Sequence, residues 1–146
     1  MPSGDEAAPG DAIGRSVVTV PIRSAADIVA ARQEGRALAS RFGFEGSDLT
    51  VIATGISELA RNILEYAKTG EIRLSLAQKA GRNGIMIVAR DEGPGIPDVP
   101  RAMQDGYTTG RGLGLGLPGV RRLMDDFEIA SQIGKGTTVS VKKWVP

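Results

Sequence analysis

From Leu49 to Tyr66 the apolar residues fall at Leu49, Ile52, Ala53, Ile56, Leu59, Ala60, Ile63 and Tyr66, a stripe of helical period that must face a core. Ser47 or Asp48 is placed to cap this helix, and Gly70 to stop it after about Lys68. The stretch EIRLSLAQ (71–78) then alternates as a strand does, GRNG (81–84) is a turn, and IMIVARD (85–91) is the returning, more buried strand. Upstream, SVVTVPI (16–22) is β-branched and predicts a strand. Ser24 with Asp27 resembles a capping box, opening a helix to about Arg41 that Gly43 and Gly46 break. Downstream, Asp98 suits a short helix to about Gln104, and Pro118 suits the first turn of a helix over 117–126. FEIASQI and TTVSVKKW close the chain as two strands joined by GKG. Paired strands with grouped helices predict an α+β two-layer sandwich, a mixed, mostly antiparallel sheet with helices on one face. Residues 1–14, rich in Pro, Gly, Ala and Asp, predict a disordered tail before a single domain over 15–146.

Composition narrows the chemistry. Cysteine and histidine are both absent, which removes disulfides, Cys/His zinc sites, cysteine nucleophiles and Ser-His-Asp triads together. A catalytic base must therefore be a carboxylate, a lysine or a tyrosine. Net charge is +1, from 18 basic and 17 acidic residues, and aromatics make up 4%. Neither a basic stripe nor a set of stacking aromatics is present, which argues against nucleic acid as the ligand. No apolar run approaches the roughly 20 residues of a membrane span, and the N-terminus has no secretory core. The expectation is a cytoplasmic protein without a membrane partner.

Glycine is the outlier, at 20 of 146 residues, and its excess lies after Gly81. In TTGRGLGLGLPGV (108–120) five of thirteen positions are glycine. Gly114, Gly116 and Gly119 match G-x-G-x-x-G but follow no strand, and no Walker A run exists. What remains is a bare backbone leading into a helix start at Leu117–Pro118, where unpaired N–H groups and the helix dipole favour an anion such as phosphate. A flexible surface loop is the alternative. DEGPGIPD puts Asp91 at a strand end with Gly93 and Gly95 at two-residue steps. A carboxylate there could take a hydrogen bond from an exocyclic amine while the glycines admit a flat ring; a plain turn is the other reading. SELARN places Glu58 and Asn62 at i and i+4, on the flank of the apolar stripe beside Gly55, which is either a site or a solvated polar edge.

Taken in order, these three segments resemble the N, G1 and G2 boxes of the GHKL ATPase/kinase superfamily, over roughly Ser47–Trp144. Within it, SELARN, DEGPGIPD, MQDGYTT, GLGLGLPGVRRLMD and GTTVSVKKW look most like the small bacterial serine/threonine kinases of partner-switching pathways, the anti-sigma-factor kinase group, and among these the stressosome switch kinases. The resemblance implies the Bergerat fold with ATP and magnesium as cofactors. It implies Glu58 as general base, Asn62 as magnesium ligand and Asp91 as reader of the adenine amino group. Gly93 and Gly95 would lie beside the base, Gly112, Gly114 and Gly116 would form a phosphate-binding lid, and Thr137 would help hold adenine through water. Arg111 corresponds approximately to a basic lid residue that senses the γ-phosphate in some relatives; a solvated loop arginine is the other reading. Having no histidine, the chain cannot carry its own phosphohistidine. The implied substrate is a serine or threonine of a STAS-domain antagonist or scaffold, with a downstream phosphatase or output enzyme activated on release. The implied alternatives are an anti-sigma factor that holds a sigma factor and phosphorylates its antagonist, and a binding module without transfer.

Overall fold

The computed structural model describes residues 17–104 and 116–146; the tail expected over 1–14 lies outside them. Among the described residues five strands and four helices follow in the order β1 (Val18–Ile22), α1 (Ala25–Phe42), α2 (Ser47–Tyr66), β2 (Gly70–Lys79), β3 (Arg82–Asp91), α3 (Val99–Ala102), α4 (Gly116–Leu123), β4 (Asp126–Gln132) and β5 (Gly136–Trp144). The element types are those the periodicities predict. Boundaries move by a few residues: α2 starts at Ser47 behind a Gly46 cap, and α4 ends at Leu123, short of the expected 126.

The strands form one sheet in the order β1-β2-β3-β5-β4. Every pairing in it is antiparallel, so the parallel component allowed by the sequence is absent among the described residues. The reason lies in the β1–β2 connection. Two long helices join β1 to β2, and β2 returns beside β1 in the opposite direction.

Cross-strand partners share a face, so the register identifies which residues meet the helices. One continuous row runs Val20, Ile72, Ala89, Val139, Ile129 and the next runs Val18, Leu74, Ile87, Val141, Phe127. Ile72, Leu74, Ile85, Ile87 and Val141 are fully buried in this face. Against them pack Ala31, Leu38 and Phe42 of α1 and Ile52, Ile56, Leu59 and Ile63 of α2. Burying one such Leu or Ile side chain contributes about 1.5–3 kcal/mol, which makes this layer the main stabilising term. At the start of α1 the Asp27 carboxylate accepts the N–H groups of Arg23 and Ser24, at 2.8 and 3.1 Å, as the capping-box signature predicts.

The same register sets up the site. Continuing one row further toward the end of β3, the apolar face turns polar: Asp91 pairs with Thr137, and Thr137 with Ser131.

Candidate nucleotide site

The C-terminal half of α2 crosses above this polar end of the sheet. Between them lies a cleft of about 450 Å³, measured out to its open mouth. Its roof is Leu59, Asn62, Ile63 and Tyr66 of α2, and its floor is Ala89 and Asp91 of β3 with Thr137 and Val139 of β5. Pro94, Gly95 and Ile96 close one side and Leu117 of α4 contributes at another. The walls are apolar and three polar side chains converge in them, an arrangement suited to a flat heteroaromatic ring.

Asp91 is half-buried, and its Oδ1 accepts the Gly93 N–H at 2.9 Å. The turn that the D-x-G pattern predicts is thus formed, and it fixes the carboxylate at the strand end. The 93–97 loop is tied to the β4–β5 turn. The Gly134 N–H donates to the Pro94 carbonyl at 2.8 Å, and the Ile96 N–H to Ser131 Oγ at 2.7 Å. Two glycines make this close approach possible. Gly95 has φ +82°, and a Cβ there would lie 2.5 Å from the Gln132 carbonyl oxygen. Gly136 has φ +130°, and a Cβ there would run into the Asp91 backbone. Both conformations lie in the region that side-chain-bearing residues rarely adopt.

Glu58 sits one turn before Asn62 on α2. It is buried, at 8% exposure, so the solvated-edge alternative for this position is excluded. Its Oε2 accepts from Arg61 Nη1 at 2.5 Å, a pair whose arginine is 44% exposed. Glu58 does not line the cleft; Asn62, four residues on, does. With a rise of about 1.5 Å per residue the two are about 6 Å apart along the axis, toward α4. The structure therefore separates the floor of the cleft from a carboxylate beyond it, with Asn62 between them.

Gly116 is the first residue of α4, at φ +70°. Arg111, Gly112 and Gly114 lie outside the described residues. Among the described residues no group of three or more acidic, His or Cys side chains could hold a metal ion. The cleft offers oxygen donors, the Asn62 side-chain amide among them. That donor set fits magnesium, which takes oxygen ligands and draws most of them from phosphates and water.

Two residues of the site escaped the sequence reading. Arg61 stands at i+3 from Glu58, a spacing that itself signals contact on a helix. Ser131 reaches Thr137 only through the β4–β5 register; counting outward from Gly134 would have found it.

Residues 23–143 match the family described as the histidine kinase-like ATPase domain. The serine/threonine-protein kinase RsbT of Bacillus subtilis is 51% identical over 119 residues, covering 82% of this chain and 90% of that one. The anti-sigma F factor of Geobacillus kaustophilus is 33% identical over 105 residues, 67% of this chain and 70% of that one. Among solved structures, the RsbU and RsbW domains of a Mycobacterium tuberculosis protein align with TM-score 0.59 at 18% identity, over 89% of this chain and 33% of the other. The mycobacterial sensor histidine kinase MprB aligns with TM-score 0.53 at 18% identity, over 87% and 97%. Likeness at this identity speaks to the fold alone.

Proposed function

This chain belongs to the histidine kinase-like ATPase domain family, and from that membership we propose that it is an ATP- and magnesium-dependent protein-serine/threonine kinase of a partner-switching pathway. The observation that carries the reading is the convergence of Asn62, Asp91 and Thr137 on one apolar cleft, with the buried Glu58 one helical turn beyond it. The 51% identity to a protein named a serine/threonine-protein kinase points the same way. Residues 15–146 act as one catalytic unit.

Each residue has a role in this reading. The adenine ring lies in the cleft, its amino group donating to Asp91, with Gly93 and Gly95 beside it and Thr137 at its ring edge. The triphosphate leaves past Asn62 toward the start of α4, where Gly112, Gly114, Gly116 and Arg111 would close over it. Asn62 would hold magnesium together with the phosphates, and the ion would supply neutralisation of the transferring charge. Glu58 takes the proton of the substrate hydroxyl as that oxygen accepts the γ-phosphoryl group, and ADP leaves. The product is a phosphoserine or phosphothreonine on another protein, a STAS-domain antagonist or scaffold; the released kinase then engages a phosphatase or output enzyme in the cytoplasm.

Transfer of labelled phosphate from ATP to a STAS-domain protein, run with and without magnesium, tests the proposal. No transfer with any such protein, together with no heat of association with an ATP analogue, would remove it. The second reading is an anti-sigma factor that also phosphorylates its antagonist, favoured by the 33% identity to an anti-sigma F factor. Capture of a sigma factor by the purified chain would put that reading first.

A further inference from the structure

Gly55 lies buried in the middle of α2, where glycine is destabilising relative to alanine. One close approach accounts for it. A Cβ at this position would lie 2.4 Å from the terminal methyl of Met124 and would meet no other atom of a neighbouring element within 4 Å. The notch over Gly55 is thus filled by a single side chain, and that side chain comes from the residue directly after α4.

The contact belongs to a longer seam. Gly55, Leu59 and Asn62 recur at helical spacing along one face of α2, and Leu117, Val120 and Met124 recur so along α4 and its end. Leu117, Val120 and Met124 are all buried. Met124 meets Gly55 at one end of the seam, and at the other Leu117 lines the cleft together with Leu59 and Asn62. The α4 helix therefore runs antiparallel to this half of α2. The step from Gly55 to Asn62 equals that from Leu117 to Met124, about 10 Å of rise on each side, so the two ends of the seam are in register. Glu58 falls between them on α2. A shift at the Met124 end tilts α4 and moves its Gly116 start, the end nearest Asn62.

We propose that Gly55 is a positioning residue: its bare backbone seats Met124, fixes the tilt of α4 against α2, and so holds the start of α4 where the triphosphate passes Asn62. The inference rests on the nucleotide reading of the cleft given above.

Three variants of the full chain test it: Gly55→Leu, Met124→Ala, and the two together, which exchange bulk across one contact. Calorimetry with a non-hydrolysable ATP analogue reads the site, and amide hydrogen exchange over 117–123 reads the seating of α4 without nucleotide. Gly55→Leu should bind the analogue about three- to tenfold more weakly, the worth of one neutral hydrogen bond to a displaced phosphate. Its α4 amides should exchange faster than the parent's. The double variant should return to within about twofold of the parental affinity, because each change relieves the other. A contact that served stability alone would lower the melting temperature of Gly55→Leu and leave the affinity of the folded chain as it was. Parental affinity in a folded Gly55→Leu chain therefore overturns the proposal, as does a double variant that binds no better than Gly55→Leu. If circular dichroism shows Gly55→Leu unfolded, Met124→Ala carries the test from the other side: it empties the notch, and its affinity should fall by about threefold or more. Parental affinity there overturns the proposal equally. A parent that binds no analogue while its α4 amides still respond to Gly55→Leu fails at the earlier step, and the nucleotide reading takes this inference with it.

Discussion

Arg61 reaches back along α2 and donates from Nη1 to Glu58 Oε2 at 2.5 Å. One carboxylate oxygen of the proposed base is thereby anchored by a residue of its own helix. Arg61→Met should lower kcat for phosphotransfer on the order of ten- to a hundredfold through loss of alignment, with KM for ATP unchanged. Because the arginine is 44% exposed, the pair contributes at most about 1 kcal/mol to stability, and the melting temperature should barely move. Parental kcat in this variant would reduce the pair to a helix-surface contact.

Glu58→Gln preserves shape and removes the proton acceptor. ATP-analogue affinity should remain at the parental value while the transfer rate drops by about 10²–10⁴, the usual share of general-base catalysis. Filter-bound label and calorimetry read the two quantities separately. Transfer at the parental rate would take the base role away from Glu58.

Asp91→Asn keeps an oxygen for the Gly93 N–H but can turn its amide nitrogen toward the adenine amine, donor against donor. Loss of a charge-assisted hydrogen bond is worth about 1.5–3 kcal/mol, so Kd for ATP should rise roughly ten- to 150-fold. Circular dichroism should show the fold intact. A Kd within twofold of the parent would place the ring elsewhere.

Gly136→Ala and Gly134→Ala form a matched pair for the loop that Asp91 depends on. Both glycines have positive φ, +130° and +81°, but only at 136 would the new Cβ meet backbone, that of Asp91 and Glu92. Gly134 has nothing within 4 Å of that position. The 136 variant should melt lower than the 134 variant by roughly 3–10 °C, from about 1–3 kcal/mol of added strain. Scanning calorimetry settles the order; identical melting would mean that the β3 and β5 ends can part without loss.

Much of the fold could be read from local pattern. The stripe from Leu49 to Tyr66, the alternation over 71–78 and the GRNG turn each report a preference that one element expresses by itself, and each element formed where expected. The three glycine- and acid-bearing segments were likewise visible as spacings. The direction of β2 relative to β1 was not, since it depends on how many helices intervene and how they lie back on the sheet. Nor was the burial of Glu58: a helical wheel puts it at the edge of the stripe, and only the packing of neighbouring elements over α2 decides whether an edge is wet.

The residue order alone determined which segments are helix and strand, ruled out thiol and imidazole chemistry, and marked Glu58, Asn62 and Asp91 as a set worth following. Tertiary structure decided that Asn62, from a helix, faces Asp91 and Thr137, from two strands, across one cleft, and that Ser131 and Arg61 stand behind them. The division has a physical cause. Periodicity and caps are energies of neighbours along the chain, whereas the meeting of Ser131 with Thr137 and the exposure of a carboxylate depend on cross-strand register and layer packing, which join positions with no local claim on one another.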